Sequence, residues 1–426
     1  MINLDKKPLI GFFPGFFDMG ETYPLIKIAR CYQELGVEVV IFSHGGDYEY
    51  LAKQQGFKIK RVKPLARGPD ITRYFMKHSD EEIIKMIRNE ALVYRTNGIK
   101  ALVQTSSYLD CLLAPLVAKI PLISVINGTL APPYNQANYA TYPDISENFF
   151  TQLVPQYIKN RINNWYTLNY KGPITKKFNR IAKKINIGTR FTCFQDLILG
   201  DYTLLCDDMD FLALKPTKDF PAENYIGPIL PNDLFEQKEK DIDEIEKHLK
   251  KPGKSILLTM GSSFVMKTIF LKILKILNQT DYNVIATYTN ILNEDEHPKL
   301  NDNILLKKFI SFTTELNKKV DLAIIHGGRG TVYTAAYLGK PAIGIPLNGE
   351  QQYNLDNLVR HGTAIRLSKT FFTEEKLLNA IKNISDHYDT YLKNAQALTQ
   401  KMPRPEGDKN AAHRIMDFIA QPGNNV

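Results

Sequence analysis

One stretch limits the folds open to this chain more than any other: "VDLAIIHGGRGTVYTAAYLGKPAIGIP", residues 320–346. A short apolar run, "DLAIIH", enters a turn holding Gly327, Gly328 and Gly330. A helical pattern follows from about Thr331, and a second β-rich run, "KPAIGIP", closes the unit. Strands connected through a helix run parallel, because only a long crossover returns the chain to the same end of the sheet. A parallel sheet needs helices on its faces, so the chain is read as α/β.

The same alternation recurs on both sides of a break near Gly227. Before it, "KPLIGFFPG", "VEVVIFSH", "KALVQTS" and "PLISVING" read as strands; "TYPLIKIARCYQELG" and "YLDCLLAPLVAK" read as helices. "IGPILPND" and the charged "EQKEKDIDEIEKHLKKPGK" then read as a linker and a surface helix. After them "SILLTMGSS", "YNVIATY", "NILLKKFI", "VDLAIIH" and "KPAIGIP" continue the strand series. A chain of 426 residues suits two such domains. The expected division is 1–230 and 231–400, with a terminal helix in 401–426 after the break at "MPRPEGD". Paired α/β domains bind ligands in the cleft at the carboxyl ends of their strands.

Several classes are disfavoured. The longest apolar region, "LLAPLVAKIPLISVI", is broken by two prolines and a lysine, short of the roughly 20 residues of a spanning helix. No secretory signal is legible in "MINLDKKPLIGFF". Cys31, Cys111, Cys193 and Cys206 have neither disulfide-framework nor zinc spacing, so a cytoplasmic chain without a metal is expected.

The Gly-rich turn carries the chemistry. Glycines let backbone approach a ligand closely, and the new helix offers unpaired N–H groups and partial positive charge to a phosphate. Arg329 and Thr331 add donors. The loop after "AIGIP" delivers Glu350 and Gln351, and a carboxylate there can accept hydrogen bonds from sugar hydroxyls.

The pattern HGGxGT, then GxP, then PxxxEQxxN, spanning His326 to Asn354, resembles the donor-binding signature of family 1 glycosyltransferases. These are UDP-glycosyltransferase-like enzymes of GT-B fold, two Rossmann-like doubly wound domains facing across a cleft. "GETYPLIKIARCYQELGVEVVIF" resembles the family's GHxxP segment, and "GPILP" and "LLTMGSS" its linker and the first loop of its second domain. The resemblance implies an inverting, metal-independent hexosyltransferase with a UDP- or dTDP-sugar as co-substrate and no further cofactor. A lipid or small hydrophobic molecule would supply the acceptor hydroxyl. His326, Gly328, Arg329, Gly330, Thr331 and Ser263 would hold the diphosphate, Glu350 and Gln351 the sugar, and Phe309 or Phe312 the base. Where many members carry a ribose-binding Glu, this chain has Thr334. The terminal helix would cross back onto the first domain. Rival readings are a non-catalytic GT-B auxiliary protein and a nucleotide-sugar epimerase.

Most members use the His of GHxxP as general base; here the position is Glu21. A carboxylate is charged at neutral pH and accepts a proton directly. Asp18 is its nearest competitor. Taken alone, Glu21 reads first as a helix-start carboxylate favoured by the dipole.

The net charge of +9 is local. From Lys159 to Arg190 there are nine Lys or Arg and no Asp or Glu. In "ITKKFNRIAKKI" the residues Ile174, Phe178, Ile181 and Ile185 share one side and the cations the other. The aromatic "NNWYTLNYKG" precedes it. The segment 159–190 either rests on an anionic membrane, on the inner face, or packs its apolar stripe on its own domain. Nucleic acid is not expected, since the patch is local and no recognition motif accompanies it.

Overall fold

The computed structural model describes residues 8–63, 75–105, 112–188, 191–231, 234, 239–262, 264–310 and 319–421. Two six-stranded parallel sheets organise them. The first holds β1 (Ile10–Phe13), β2 (Val39–Ser43), β3 (Ile59–Arg61), β4 (Ala101–Gln104), β5 (Leu122–Ile126) and β6 (Tyr202–Leu205). The second holds β7 (Ser255–Thr259), β8 (Asn283–Thr287), β9 (Ile304–Lys307), β10 (Leu322–Ile325), β11 (Ala342–Gly344) and β12 (Ala364–Arg366). Their orders, β3-β2-β1-β4-β5-β6 and β12-β11-β10-β7-β8-β9, are the same doubly wound order read from opposite edges. The central strands are buried along their length, as the continuous apolar runs require.

This order places the ligand cleft. In each sheet the winding reverses between two central strands, β1 and β4 or β7 and β10, and a crevice opens beyond their carboxyl ends. The helix Met19–Glu34 starts after β1 and the helix Arg329–Leu338 after β10.

The helix Met19–Glu34 explains its own sequence. Asp18 is its N-cap, accepting the Gly20 N–H at 2.6 Å, and Leu25, Ile26, Ile28, Ala29 and Tyr32 are buried against the sheet. Pro24 lies within the helix and has no N–H, so the Gly20 carbonyl four residues back is left without its intrahelical donor.

The segment Glu239–Leu249 is a helix as expected, but Ile245 packs with Leu257, Ile285 and Ile310, tying it to the second sheet. The terminal helix Gly407–Ala420 belongs to the first domain's core: Ala411, Ala412, Ile415 and Ile419 pack with Leu25, Ile28 and Tyr32. Tyr32 donates to the Ala412 carbonyl at 2.6 Å, and Lys27 pairs with Asp408 at 3.3 Å. A Cβ on Gly407 would lie 2.3 Å from the Gly227 carbonyl oxygen, so this helix is also pressed onto the linker. Among the described residues no helix is long and apolar enough to cross a membrane.

Because Ile415 is fully buried, Ile415→Ala is expected to lower stability by about 2–5 kcal/mol, read from urea denaturation.

Candidate active site

A cleft of about 600 Å³ lies between the two sheets. Asp18 and Glu21 line it from the first domain. From the second come His326, Gly328, Arg329, Gly330 and Thr331, with Glu350, Gln351 and Phe309. The signature residues, some 300 positions from Glu21, therefore share one cavity with it. Ser263 and Phe312 lie outside the described residues; Ser262, next to the former, lines the cleft.

Close packing explains the glycines of the turn. Gly327 has φ +91°, and a Cβ there would meet the Gln351 carbonyl at 2.5 Å. A Cβ on Gly328 would lie 2.4 Å from His326 Nε2, and one on Gly261 would meet the same ring at 2.6 Å. The His326 ring thus fills the space that two glycines vacate. Burial lowers its pKa to about 4, leaving a neutral imidazole at pH 7 whose Nδ1 is buried without a hydrogen-bond partner. Such a ring offers a ligand a hydrogen bond rather than a charge.

The helix Arg329–Leu338 has Gly328 as its N-cap and no capping side chain, so its first N–H groups are left to the cleft. Thr331 Oγ1 donates to the Gly328 carbonyl at 2.8 Å and Thr334 Oγ1 to that of Gly330 at 2.7 Å. The Thr334 hydroxyl is therefore committed to its own helix, although the residue lines the cleft.

Arg329 faces the first domain. Its guanidinium donates to the Gly20 carbonyl at 3.4 Å, the oxygen that Pro24 deprives of a helical partner. Burial alone would favour the neutral guanidine, but the charges around it, those of Asp207 and Glu21 at neutral pH, outweigh this and hold it charged. Asp207, itself 1% exposed, accepts the Gly128 N–H at 2.6 Å and the Tyr333 hydroxyl at 2.8 Å. Tyr333 Oη also accepts the Asp208 N–H at 3.0 Å. The seam between the domains is thus a buried polar network built on the signature helix.

Three carboxylates share the cleft. Asp18 opens into it, and enclosure there raises its pKa against the pull of its helix amides and Arg329. Glu21 is half-buried and acts electrostatically on both Arg329 and Glu350. Enclosure, then Glu21 and Asp18, push Glu350 up to about 7. Glu350 Oε1 accepts Asn127 Nδ2 at 2.5 Å and Asn354 Nδ2 at 3.3 Å. Gln351 Oε1 accepts the Leu347 N–H at 2.8 Å, which orients its amide beside them.

Asn127, Asp207 and Tyr333 escaped the sequence reading. Asn127 ends the run "PLISVIN", where a polar residue after a strand is the available signal; nothing local distinguished Asp207 or Tyr333.

In the basic helix Pro173–Lys184 the apolar stripe takes the second of the two expected courses and packs on its own domain. The stripe, Ile174, Phe178 and Ile181, is buried in the first domain's core, with Phe178 stacked on Phe75. Lys177 donates to the Phe75 and Met76 carbonyls at 2.7 and 3.2 Å. Arg180 grips Asp80 through two hydrogen bonds, and Lys184 reaches Asp80 and Glu81. The stripe therefore covers its own domain. The preceding aromatic stretch does not: Trp165, Tyr166 and Tyr170 are exposed.

Residues 255–414, most of the second domain and the terminal helix, match the model of the glycosyltransferase family 28 C-terminal domain. The chain is 21% identical over 286 residues to the uncharacterized UDP-glucosyltransferase YojK of Bacillus subtilis, covering 65% of this chain and 66% of that protein. It is 29% identical over 138 residues to a Bacillus pumilus transferase, covering 32% of this chain and 36% of that one. That protein's name is UDP-N-acetylglucosamine--N-acetylmuramyl-(pentapeptide) pyrophosphoryl-undecaprenol N-acetylglucosamine transferase. These matches span at most 66% of the curated relatives' length. Among solved structures, the calicheamicin glycosyltransferase CalG4 superposes with a TM-score of 0.68 at 13% identity, covering 98% of this chain and all of that one.

Burial raises Asp207 to about 6, and enclosure with neighbouring carboxylates raises Glu350 to about 7. In the unfolded chain both titrate near about 4. The folded state then binds more protons between about pH 4 and 7, and the stability owed to these groups falls as pH rises through that window. Asp207→Asn is expected to flatten the fall in melting temperature between about pH 4 and 6, the window set by the unfolded and folded Asp207, measured by scanning calorimetry.

Proposed function

Because the chain is a family 1, UDP-glycosyltransferase-like protein of GT-B fold, we propose that it transfers a sugar from a nucleoside diphosphate to an acceptor hydroxyl. A UDP- or dTDP-sugar is the donor in this reading, and a lipid or small hydrophobic molecule the acceptor. The observation that carries it is the single cleft uniting Glu21 with the signature turn and with Glu350 and Gln351. The names of the two bacterial relatives support the UDP-sugar, and the second supports a polyprenol-linked acceptor.

The mechanism follows from the groups present. Glu21 takes the proton of the acceptor hydroxyl as its oxygen attacks the anomeric carbon. The bond from that carbon to the diphosphate breaks on the opposite face, so the configuration inverts. Charge on the departing diphosphate is met by the open N–H groups at the start of Arg329–Leu338, beside the neutral His326 ring. Fixed amide dipoles of this kind do the work without a metal. Glu350 and Gln351 hold the sugar hydroxyls, Phe309 walls the base, and the charged Arg329 steadies the turn from behind. Asp18 is less suited than Glu21 to be the base, since its carboxylate caps its own helix.

Glu21→Gln is expected to lower kcat by about 10²–10⁴-fold while leaving the Kd for nucleotide sugar within about twofold. Asp18→Asn keeps a competent cap and is expected to cost far less. A panel of UDP, dTDP, GDP and their sugars in thermal shift selects the donor, and mass spectrometry of lipid extracts incubated with it follows transfer. Unchanged turnover in Glu21→Gln removes this base; absence of transfer from every donor removes the reaction.

A further inference from the structure

The helix Gln156–Asn169 is inside out. Its polar side faces the protein: Asn164, 1% exposed, donates to the Ala140 carbonyl at 2.7 Å and accepts from Asn135 at 3.0 Å. Asn160 accepts the Tyr142 N–H at 2.9 Å, and Asn163 donates to the Tyr353 hydroxyl at 3.3 Å. Lys159 pairs with Glu147 in a buried contact. The solvent side carries Tyr157, Ile162, Trp165 and Tyr166, all exposed, with Arg161 one turn from both Tyr157 and Trp165. Phe149 and Phe150, 73% and 78% exposed, and Leu153 extend this surface through the short helix just before. Soluble monomers rarely leave so much contiguous apolar surface in water without a use for it.

We propose that this aromatic ridge, Phe149 to Tyr166, docks the protein on an anionic bilayer, its rings in the headgroup layer. Charge selects this occupant. From Glu147 to Asp196 the chain has no intervening acidic residue and nine Lys or Arg. Four of the nine are used internally, Lys159, Lys177, Arg180 and Lys184. Arg161, Lys176 and Lys183 are exposed and make no ion pair with the described residues, so they are left for lipid phosphates. Trp and Tyr, with an apolar body and a polar tip, are the side chains favoured at this depth. A second copy of the chain would instead bring Arg161 against like charge. The helix that bears the ridge is also tied, through its inward face, to the helix that lines the cleft. Tyr353, which Asn163 holds, lies on the helix Gly349–Arg360 that carries Glu350. The docking proposal stands on the surface alone and does not depend on the proposed reaction.

Trp165 is the chain's one tryptophan, so its fluorescence reports directly on the ridge. With phosphatidylcholine–phosphatidylglycerol vesicles at low salt, its emission is expected to shift to shorter wavelength and to be quenched by brominated acyl chains. The protein should sediment with these vesicles and more weakly with phosphatidylcholine alone. The triple variant Phe149→Ser, Phe150→Ser, Leu153→Ser is expected to weaken binding by at least about tenfold. Its far-UV circular dichroism and melting should match the parent, since all three side chains are exposed. No emission shift and no sedimentation with anionic vesicles would overturn the proposal, as would undiminished binding by the triple variant. A dimer in sedimentation velocity that the same variant dissolves, with vesicles ignored, would assign the ridge to a second copy.

Discussion

A buried guanidinium at the seam between the domains organises this protein. Arg329 opens the signature helix of the second domain and reaches the Gly20 carbonyl in the first. That oxygen is available because Pro24, four residues on, has no N–H to give it. A missing donor in one domain is thus answered by a charged donor from the other. The charge is tolerable because Asp207 and Glu21 face it, and Asp207 is held in turn by Gly128 and Tyr333. A buried cation left unpaired would cost several kcal/mol, so these groups stand or fall together. They fix the angle at which the turn presents its glycines to the cleft.

The electrostatics of the cleft follow from that seam. Arg329 lies behind the turn, so its charge bears on the carboxylates while the open helix amides face the ligand space. Asp18, Glu21 and Glu350 line the same cavity, and enclosure together with the charges of Glu21 and Asp18 on Glu350 favours protonating one of them. Glu350 is the member pushed to about 7. In the proposed reaction, one carboxylate that holds a proton beside another placed to accept one would divide binding and proton transfer between two side chains of the same type.

The sequence made the architecture readable where local and tertiary demands coincide. β1, β4 and β5 are buried apolar runs, and Gly327 and Gly328 stand where φ or close approach excludes a side chain. It was silent at β3, β6 and β12. These edge strands, three or four residues long, take their structure from the neighbour they pair with rather than from their own pattern. Glu350 was legible through its spacing from the turn, whereas Asn127, its partner from the other sheet, had only its place after a strand. Periodicity also identifies a face without telling which way it points. In Pro173–Lys184 the apolar face turned inward; in Gln156–Asn169, where asparagines satisfy one another against the protein, it turned outward.

The hydrogen bond from Asn127 to Glu350 spans the cleft from one sheet to the other. Asn127 takes one oxygen of that carboxylate and leaves the other, so a hydroxyl arriving there shares the group with the amide or competes for it. The same bridge fastens the end of β5 to the helix Gly349–Arg360, which makes it a latch between the two domains as well as a contact within the cleft.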